Sequence, residues 1–293
     1  MQVKTFRPLL ALTGILLAFG LVLPTVAAKP ALATTPSPSA TSTASSVSNG
    51  SQFKYTSCKT NTDSPVFQVC SSGRPTAKIR ALFMGDSHTR QYYPSLFVLA
   101  SKYNWNVTLV SKSGCPIMAS KLIPAKAKIR GCDAWNLARE KWLATQKPFD
   151  FMFNSNSTFI TRGDPAIVAA VVEAIRQPAA KGTSVLVLFD NPKPRIDILD
   201  CYKKYSLAQA AKACQVTRAA GLQSVDGVTP GVKGLKNVKT FDLTNVYCNT
   251  VCQPVLKGIK VYRDQSHVSA PFAATLISKL DAAIPARFKS TGK

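Results

Sequence analysis

The chain has 293 residues, and 37 Lys+Arg against 14 Asp+Glu give it a formal net charge of +23. At 46% hydrophobic and 17% charged residues it is too apolar for a disordered chain and lacks collagen-like or coiled-coil bias, and its one long apolar run, at the start, excludes a polytopic membrane protein. What is left is a globular protein of one or two domains whose excess of cations suits nucleic acid, anionic lipid or anionic polysaccharide.

Lys4 and Arg7 precede an apolar run over 8–23, followed by two small-residue cleavage sites, Val26-Ala27-Ala28 and Ala31-Leu32-Ala33. Residues 1–33 therefore read as a secretory signal peptide cut after 28 or 33. The run falls short of the about 20 residues that span a bilayer; an uncleaved signal anchor, tethering the protein to the membrane, is the alternative. Residues 34–52 are rich in Ser, Thr, Ala and Pro and carry no charge, so they read as a flexible tether. The folded domain is expected over 53–293.

Within that domain Lys78-Ile-Arg-Ala-Leu-Phe-Met84 reads as a strand that breaks at Gly85-Asp86-Ser87. A helix is predicted over 88–103, where Tyr92, Leu96, Leu99 and Tyr103 share a face. A second strand over 107–110 runs into Ser113-Gly114-Cys115. A helix follows over 133–145 with Asp133 as its N-cap. A third strand, 149–153, runs into Asn154-Ser155-Asn156-Ser157. Helix 165–177 starts on a proline, and Val185-Leu-Val-Leu-Phe189 is an apolar run suited to a strand covered on both faces. A helix over 206–220, a strand over 238–243 and a helix over 271–283 complete the chain. Strands and helices alternate, which predicts an α/β fold with a mostly parallel sheet.

All eight cysteines follow the tether: Cys58, Cys70, Cys115, Cys132, Cys201, Cys214, Cys248 and Cys252. An even number in an exported chain reads as disulfides. Spacing does not fix the connectivity; sequential pairing is expected because each pair closes a short local loop. No CxxC pair occurs, and only His88 and His267 offer imidazole, so neither a metal nor any other cofactor is expected.

In open α/β sheets sites form outside the carboxyl ends of the strands. Ser87 sits at a strand-to-helix turn, where free N–H groups gather. A serine attacks a carbonyl only with a base beside it. His267 is the candidate base, and Asp264, three residues earlier, is the candidate orienter of its imidazole. The backbone N–H groups of Ser87 and Gly114 and an Asn amide are candidates for the oxyanion hole. His88 directly follows the serine, and neighbouring side chains on a tight turn diverge, so it is expected to hydrogen-bond structurally or to touch substrate. Asp86 is expected to stabilise the turn. Arg90 and Arg263 flank the site and are candidate contacts for an anionic substrate, with ordinary surface charge as the alternative. Trp105, Trp135 and Trp142 are candidate sugar-stacking platforms; the seven-residue spacing of the last two favours core packing.

The order of these blocks resembles the SGNH hydrolase superfamily, and most closely the extracytoplasmic SGNH domains associated with membrane acyltransferase-three proteins. The resemblance rests on Met84-Gly-Asp-Ser-His-Thr-Arg-Gln91, Ser111-Lys-Ser-Gly-Cys-Pro116, Cys132-Asp-Ala-Trp135, Cys248-Asn-Thr-Val-Cys252 and Val261-Tyr-Arg-Asp-Gln-Ser-His-Val-Ser269. It implies a three-layer α/β/α sandwich with a flavodoxin-like sheet. It also implies ester chemistry through Ser87, Gly114, Asn156 and His267, often O-acetylation or deacetylation of cell-envelope glycans. The third block reads Asn154-Ser-Asn156-Ser157 where the family commonly has Gly-x-Asn-Asp; Asn156 aligns by position and Asn154 is the alternative.

The expected function is thus a secreted, envelope-associated bacterial serine O-acyltransferase or esterase, monomeric, acting on a cell-envelope glycan or glycolipid. A separate membrane acyltransferase is a possible source of the acyl group. The competing reading is an inactive SGNH-like module that binds anionic wall polymer. Export and the lack of a recognised motif speak against nucleic acid. Signal cleavage after 28 removes Lys4 and Arg7, and cleavage after 33 also removes Lys29, so the positive charge belongs to the exported domain.

Overall fold

The computed structural model describes residues 67–224 and 226–289. The expected signal peptide, the tether and Cys58 lie outside the described residues.

A six-stranded sheet forms the middle of the domain. Its strands are β1 (Cys70–Gly73), β2 (Ile79–Gly85), β3 (Trp105–Ser111), β4 (Phe151–Asn154), β5 (Ser184–Leu188) and, after the two-residue β6 (Val216–Thr217), β7 (Val238–Phe241). The order is β1-β3-β2-β4-β5-β7. All neighbours are parallel except β1, which caps the β3 edge antiparallel. The parallel part is thus of the flavodoxin type. The chain leaves β2 for one side and returns to build β4 on the other, so a crevice opens at the carboxyl ends of β2, β3 and β4.

The continuous apolar runs of the strands follow from cover on both faces. On β2, Ala81 and Phe83 join one core cluster and Leu82 and Met84 the other; on β4, Phe151 and Phe153 oppose Met152. The first face is covered by α2 (Tyr93–Lys102), α11 (Ala270–Ala274) and α12 (Ile277–Ala283). The second is covered by α3 (Cys132–Thr145), α5 (Pro165–Ala180) and α9 (Val228–Val232). This is a three-layer α/β/α sandwich. Trp105 and Trp135 are buried in the two clusters and Trp142 packs partly buried beside Phe67 and Phe149, so their rings serve the core.

Several elements differ from the sequence expectation, each for a local reason. The helix expected over 88–103 is two: α1 (Ser87–Arg90), then α2, with Pro94 in its first turn. Proline lacks an N–H to donate and suits a helix start, not its interior. The cap of α3 is Gly131 in the left-handed conformation, while Asp133 occupies the first turn, where its charge faces the positive end of the helix. The helix expected over 206–220 becomes α7 (Leu207–Ala213) and α8 (Arg218–Gly221), separated by β6, which pairs with β8 (Val251–Cys252). The Cys201–Cys214 disulfide closes the end of α7. The last helix divides into α11 and α12, and the Thr275 hydroxyl there donates to the Phe272 carbonyl at 2.7 Å, competing with the helical ladder. β1, α6 (Ile198–Lys204), α9 and the one-turn helices α4 (Thr158–Thr161) and α10 (Thr244–Tyr247) lie outside the expected elements; the Cys-Ser-Ser-Gly stretch of β1 has no apolar alternation to announce it.

Cys115–Cys132, Cys201–Cys214 and Cys248–Cys252 are bonded, matching three of the local pairings expected. Cys70 is also disulfide-bonded; its expected partner lies outside the described residues.

Candidate active site

β2 ends at Gly85, and the chain turns at once into α1. A Cβ at Gly85 would collide with the Thr89 side chain and come 2.9 Å from the Ser155 carbonyl, so the turn needs glycine for close approach. The Thr89 hydroxyl donates to the Ser155 carbonyl and accepts from its N–H at 2.7 and 2.8 Å. Asp86 caps α1: its carboxylate accepts from the His88 N–H at 2.7 Å and, with the other oxygen, from the Ser157 N–H at 2.9 Å. Burial raises the Asp86 carboxyl above the usual carboxylate range, against the lowering by nearby His88 and these N–H groups. Thr89 and Asp86 thus pin the segment after β4 onto the turn that presents Ser87.

Ser87 and His267 are 180 residues apart in sequence, yet the Ser87 Oγ lies 2.7 Å from His267 Nε2. On the far side of the ring, His267 Nδ1 is 2.8 and 2.9 Å from the two oxygens of Asp264. Asp264 also accepts from the backbone N–H groups of Ser266 and His267 at 2.9 and 2.8 Å. Partial burial raises its carboxyl, but the hydrogen bonds from the His267 ring and the two backbone N–H groups outweigh this and hold it well below the usual range. With a carboxylate at Nδ1, the imidazole proton sits there, and Nε2 turns its lone pair toward the serine hydroxyl.

The loop that carries His267 is fastened on both sides. The Gln91 side chain accepts from the Val268 N–H at 2.7 Å and donates to Asn191 Oδ1 at 2.9 Å. Asn191 Nδ2 in turn donates to the Ser266 carbonyl at 3.0 Å.

Gly114 follows β3, has a φ of +73° and lines the same cleft as Ser87. The Cys115–Cys132 disulfide ties its turn to the start of α3. Asn154 is fully buried; its amide N–H donates to the Met84 carbonyl at 2.7 Å and its Oδ1 accepts from Asn156 Nδ2 at 2.7 Å. It joins β4 to β2, and neither it nor Asn156 lines the cleft over Ser87. Asn156 is 7% exposed, and its Oδ1 is buried without a partner among the described residues.

His88 is buried, with its ring centroid 4.7 Å from that of His267. Its Nδ1 faces Asp190 Oδ1 at 2.5 Å. Asp190 also accepts from Lys193 Nζ at 2.7 Å and from the Thr158 N–H and hydroxyl at 2.8 and 2.9 Å. Burial alone would raise the Asp190 carboxyl, but His88 and Lys193 beside it hold it far below the usual range. This buried cluster was not read from the sequence. The one signal for it was Asp190-Asn191 at the carboxyl end of β5, the same kind of position that identified Ser87, Gly114 and Asn154–Asn156.

The cleft over Ser87 has a volume of about 740 Å³. Arg90 and Arg263 line it, as do Lys126, Arg130 and Arg162 and the apolar Phe159, Ile160 and Ile167. Arg90 donates to the Ser113 hydroxyl, and Arg263 Nε lies 3.4 Å from Asp264.

A family description of the SGNH domain fused to AT3 domains matches residues 57–282. The chain belongs to this family. Among solved structures, the periplasmic domain of a lipopolysaccharide acetyltransferase from Salmonella ser. Paratyphi A is similar, at 13% identity and a TM-score of 0.51 over 70% of this chain and 83% of that one. At that identity the likeness shows the shared fold. No curated protein matches the chain. The SGNH family places the protein among enzyme-like domains associated with acyl transfer, and its disulfides fit an oxidising, extracytoplasmic compartment. No helix among the described residues is long and apolar enough to cross a membrane.

Proposed function

We propose that the protein is a serine-dependent O-acyltransferase or esterase that acts on a cell-envelope glycan or glycolipid through an acyl-Ser87 intermediate. The observation that carries this reading is the unbroken chain from Ser87 Oγ through His267 to the Asp264 carboxylate, opening into a cleft. In the first half-reaction Ser87 Oγ attacks the ester carbonyl carbon as its proton passes to His267 Nε2, and Asp264 stabilises the resulting imidazolium. The carbonyl oxygen takes up the negative charge. The N–H groups of Ser87 and Gly114, with the second amide proton of Asn156, are the donors assigned to it. Collapse expels the leaving alkoxide, which takes the proton back from His267. In the second half-reaction His267 takes a proton from a sugar hydroxyl (transfer) or from water (hydrolysis), the new oxygen attacks the acyl carbon, and the departing Ser87 Oγ takes that proton back from His267.

In this reading the protein works as a monomer in the bacterial envelope, exported by the N-terminal signal, and a membrane acyltransferase supplies the acyl group. The family's fused AT3 domains support that partner, and the envelope glycolipid named for the Salmonella structure supports the substrate class. The test is hydrolysis of p-nitrophenyl acetate by the purified full chain, with intact-mass analysis. Slow turnover is expected, together with an adduct of about 42 Da on Ser87. Ser87→Ala is expected to lower the rate by about 10³-fold or more. Equal rates for the two proteins overturn the assignment of Ser87, and salt-sensitive polymer binding without turnover favours the inactive binding module.

A further inference from the structure

Two of the arginines that line the cleft each precede a glycine in the chain. Arg130 and Gly131 have φ of +54° and +66°, and Arg162 and Gly163 have φ of +47° and +65°. Glycine adopts this left-handed backbone without penalty, but a long side chain there is strained. Strain of this kind persists where the surroundings enforce it, and it gathers at functional sites. Of the non-glycine residues with positive φ among the described residues (Asn104, Arg130, Arg162, Arg195, Asn237 and Lys257), Arg130 and Arg162 are the two that line the cleft over Ser87, and both are exposed.

Neither arginine is paired with a carboxylate among the described residues. The Arg162 guanidinium lies 4.9 Å from the Phe159 ring centroid and its Nε donates to the Phe159 carbonyl at 3.1 Å. Its terminal nitrogens have no partner among the described residues. The Arg130 guanidinium lies against Gly114, where a Cβ would come within 2.9 Å of Nη1. It therefore stands beside the turn assigned above to the oxyanion. Asp164, the carboxylate of this wall, is already engaged: it pairs with Lys126 and accepts from the Ala166 and Ile167 N–H groups at the start of α5. That ion pair also joins the segment before Arg130 to the loop of Arg162. The result is two guanidinium forks with open donors on adjoining loops. Such forks match the paired oxygens of a phosphate or carboxylate group.

We propose that Arg130 and Arg162 form an anion clamp that holds a phosphate or carboxylate group of the acyl acceptor, so that the acceptor is an anionic glycan rather than a neutral one. This rests on reading the cleft as the acyl-transfer site. Its test is equilibrium binding, which needs no turnover. The probes are three oligosaccharides of similar size: maltohexaose bearing phosphate groups, an oligogalacturonate, and unmodified maltohexaose. They are titrated by calorimetry into the full chain and into an Arg130→Gly/Arg162→Gly variant. Glycine suits both backbone positions, so the variant removes the guanidinium groups and relieves strain; its thermal midpoint checks that it folds.

At least one anionic probe is expected to bind ten-fold or more tighter than the neutral one, and the double variant to lose that margin. Preference for the phosphorylated sugar assigns the clamp to phosphate, preference for the oligogalacturonate to carboxylate. A Lys181→Gln/Lys233→Gln variant removes two exposed charges outside the cleft and is expected to bind as the parent does. Equal binding of neutral and anionic probes, unchanged binding by the arginine variant, or an equal loss in the lysine variant overturns the proposal. If p-nitrophenyl acetate is not hydrolysed while the clamp binds as expected, the catalytic reading fails and the clamp stands.

Discussion

Asp264 and Asp190 are both carboxylates held against imidazoles, and their surroundings set different consequences. Asp264 is partly exposed and touches the ring that faces Ser87. Asp264→Asn leaves a side chain of the same shape that no longer fixes the Nδ1–H tautomer. A fall in kcat by roughly 10²–10⁴-fold, with KM for p-nitrophenyl acetate little changed, is expected. A comparable rise in KM with kcat unchanged would mean that Asp264 binds substrate and does not orient His267. Asp190 is buried with Lys193 and His88, and removing one partner of a buried charge cluster leaves the others uncompensated. Asp190→Asn is therefore expected to lower unfolding stability by about 3–5 kcal/mol at neutral pH. The folded Asp190 carboxyl lies below its unfolded value of about 4. Its contribution is present in full above that value and is lost as pH falls through the folded one, because the unfolded chain binds the extra proton. Urea midpoints measured from acid to neutral pH should rise less steeply with pH in the variant than in the parent; parallel curves would refute this. Ser87 and His267 were legible because each sits in a short block with its own turn chemistry. The link between His88 and Asp190 was not, since those residues lie 102 positions apart and no local pattern ties them.

At the scale of elements, the sheet was legible and the helices were less so. The parallel strands carry apolar runs because both faces are covered, and those runs stand out in the sequence. Three expected helices divided, at Pro94, at β6 just past the Cys201–Cys214 bond, and at the Thr275 hydroxyl, where local chemistry outweighed a general periodicity. The same view identifies what holds the Gly114 turn. Gly114 sits between β3 and the bonded Cys115, and Cys132 opens α3. The bond closes a loop of sequence separation 17, for which loop-closure entropy gives about 3 kcal/mol. A Cys115→Ala/Cys132→Ala variant is expected to lose about that much stability. It should also lose more ester turnover than a variant lacking Cys248–Cys252, which fastens a loop remote from Gly114 in sequence. Equal activity losses in the two would remove the Gly114 turn from the catalytic argument. Gly85→Ala tests the other wall: the contacts with Thr89 and the Ser155 carbonyl predict a cost of about 1–3 kcal/mol, readable as a lower thermal midpoint.

At the scale of the whole molecule, the net charge of +23 and the arginine clamp act over different distances. The clamp requires two guanidinium groups in contact with one anionic group. The field of the whole domain requires only that many cations lie within a screening length of a polyanion, which is about 10 Å at 0.1 M salt and about 3 Å at 1 M. The Ser87–His267–Asp264 contacts are shorter than either length, and p-nitrophenyl acetate is neutral. Salt should therefore separate location from chemistry. Retention of the full chain on a phosphate-bearing polymer is expected at about 0.05 M salt and to be lost near 0.5 M, while ester turnover changes less than about two-fold over that range. The Arg130→Gly/Arg162→Gly variant removes two charges of a large excess, so its release should move only slightly along the salt gradient even where its affinity for a short anionic glycan collapses. Retention that does not respond to salt would show that contacts other than charge hold the protein on the polymer. A shift in release as large as the loss of oligosaccharide affinity would make the two arginines the principal polymer site, and the remaining cations incidental to it.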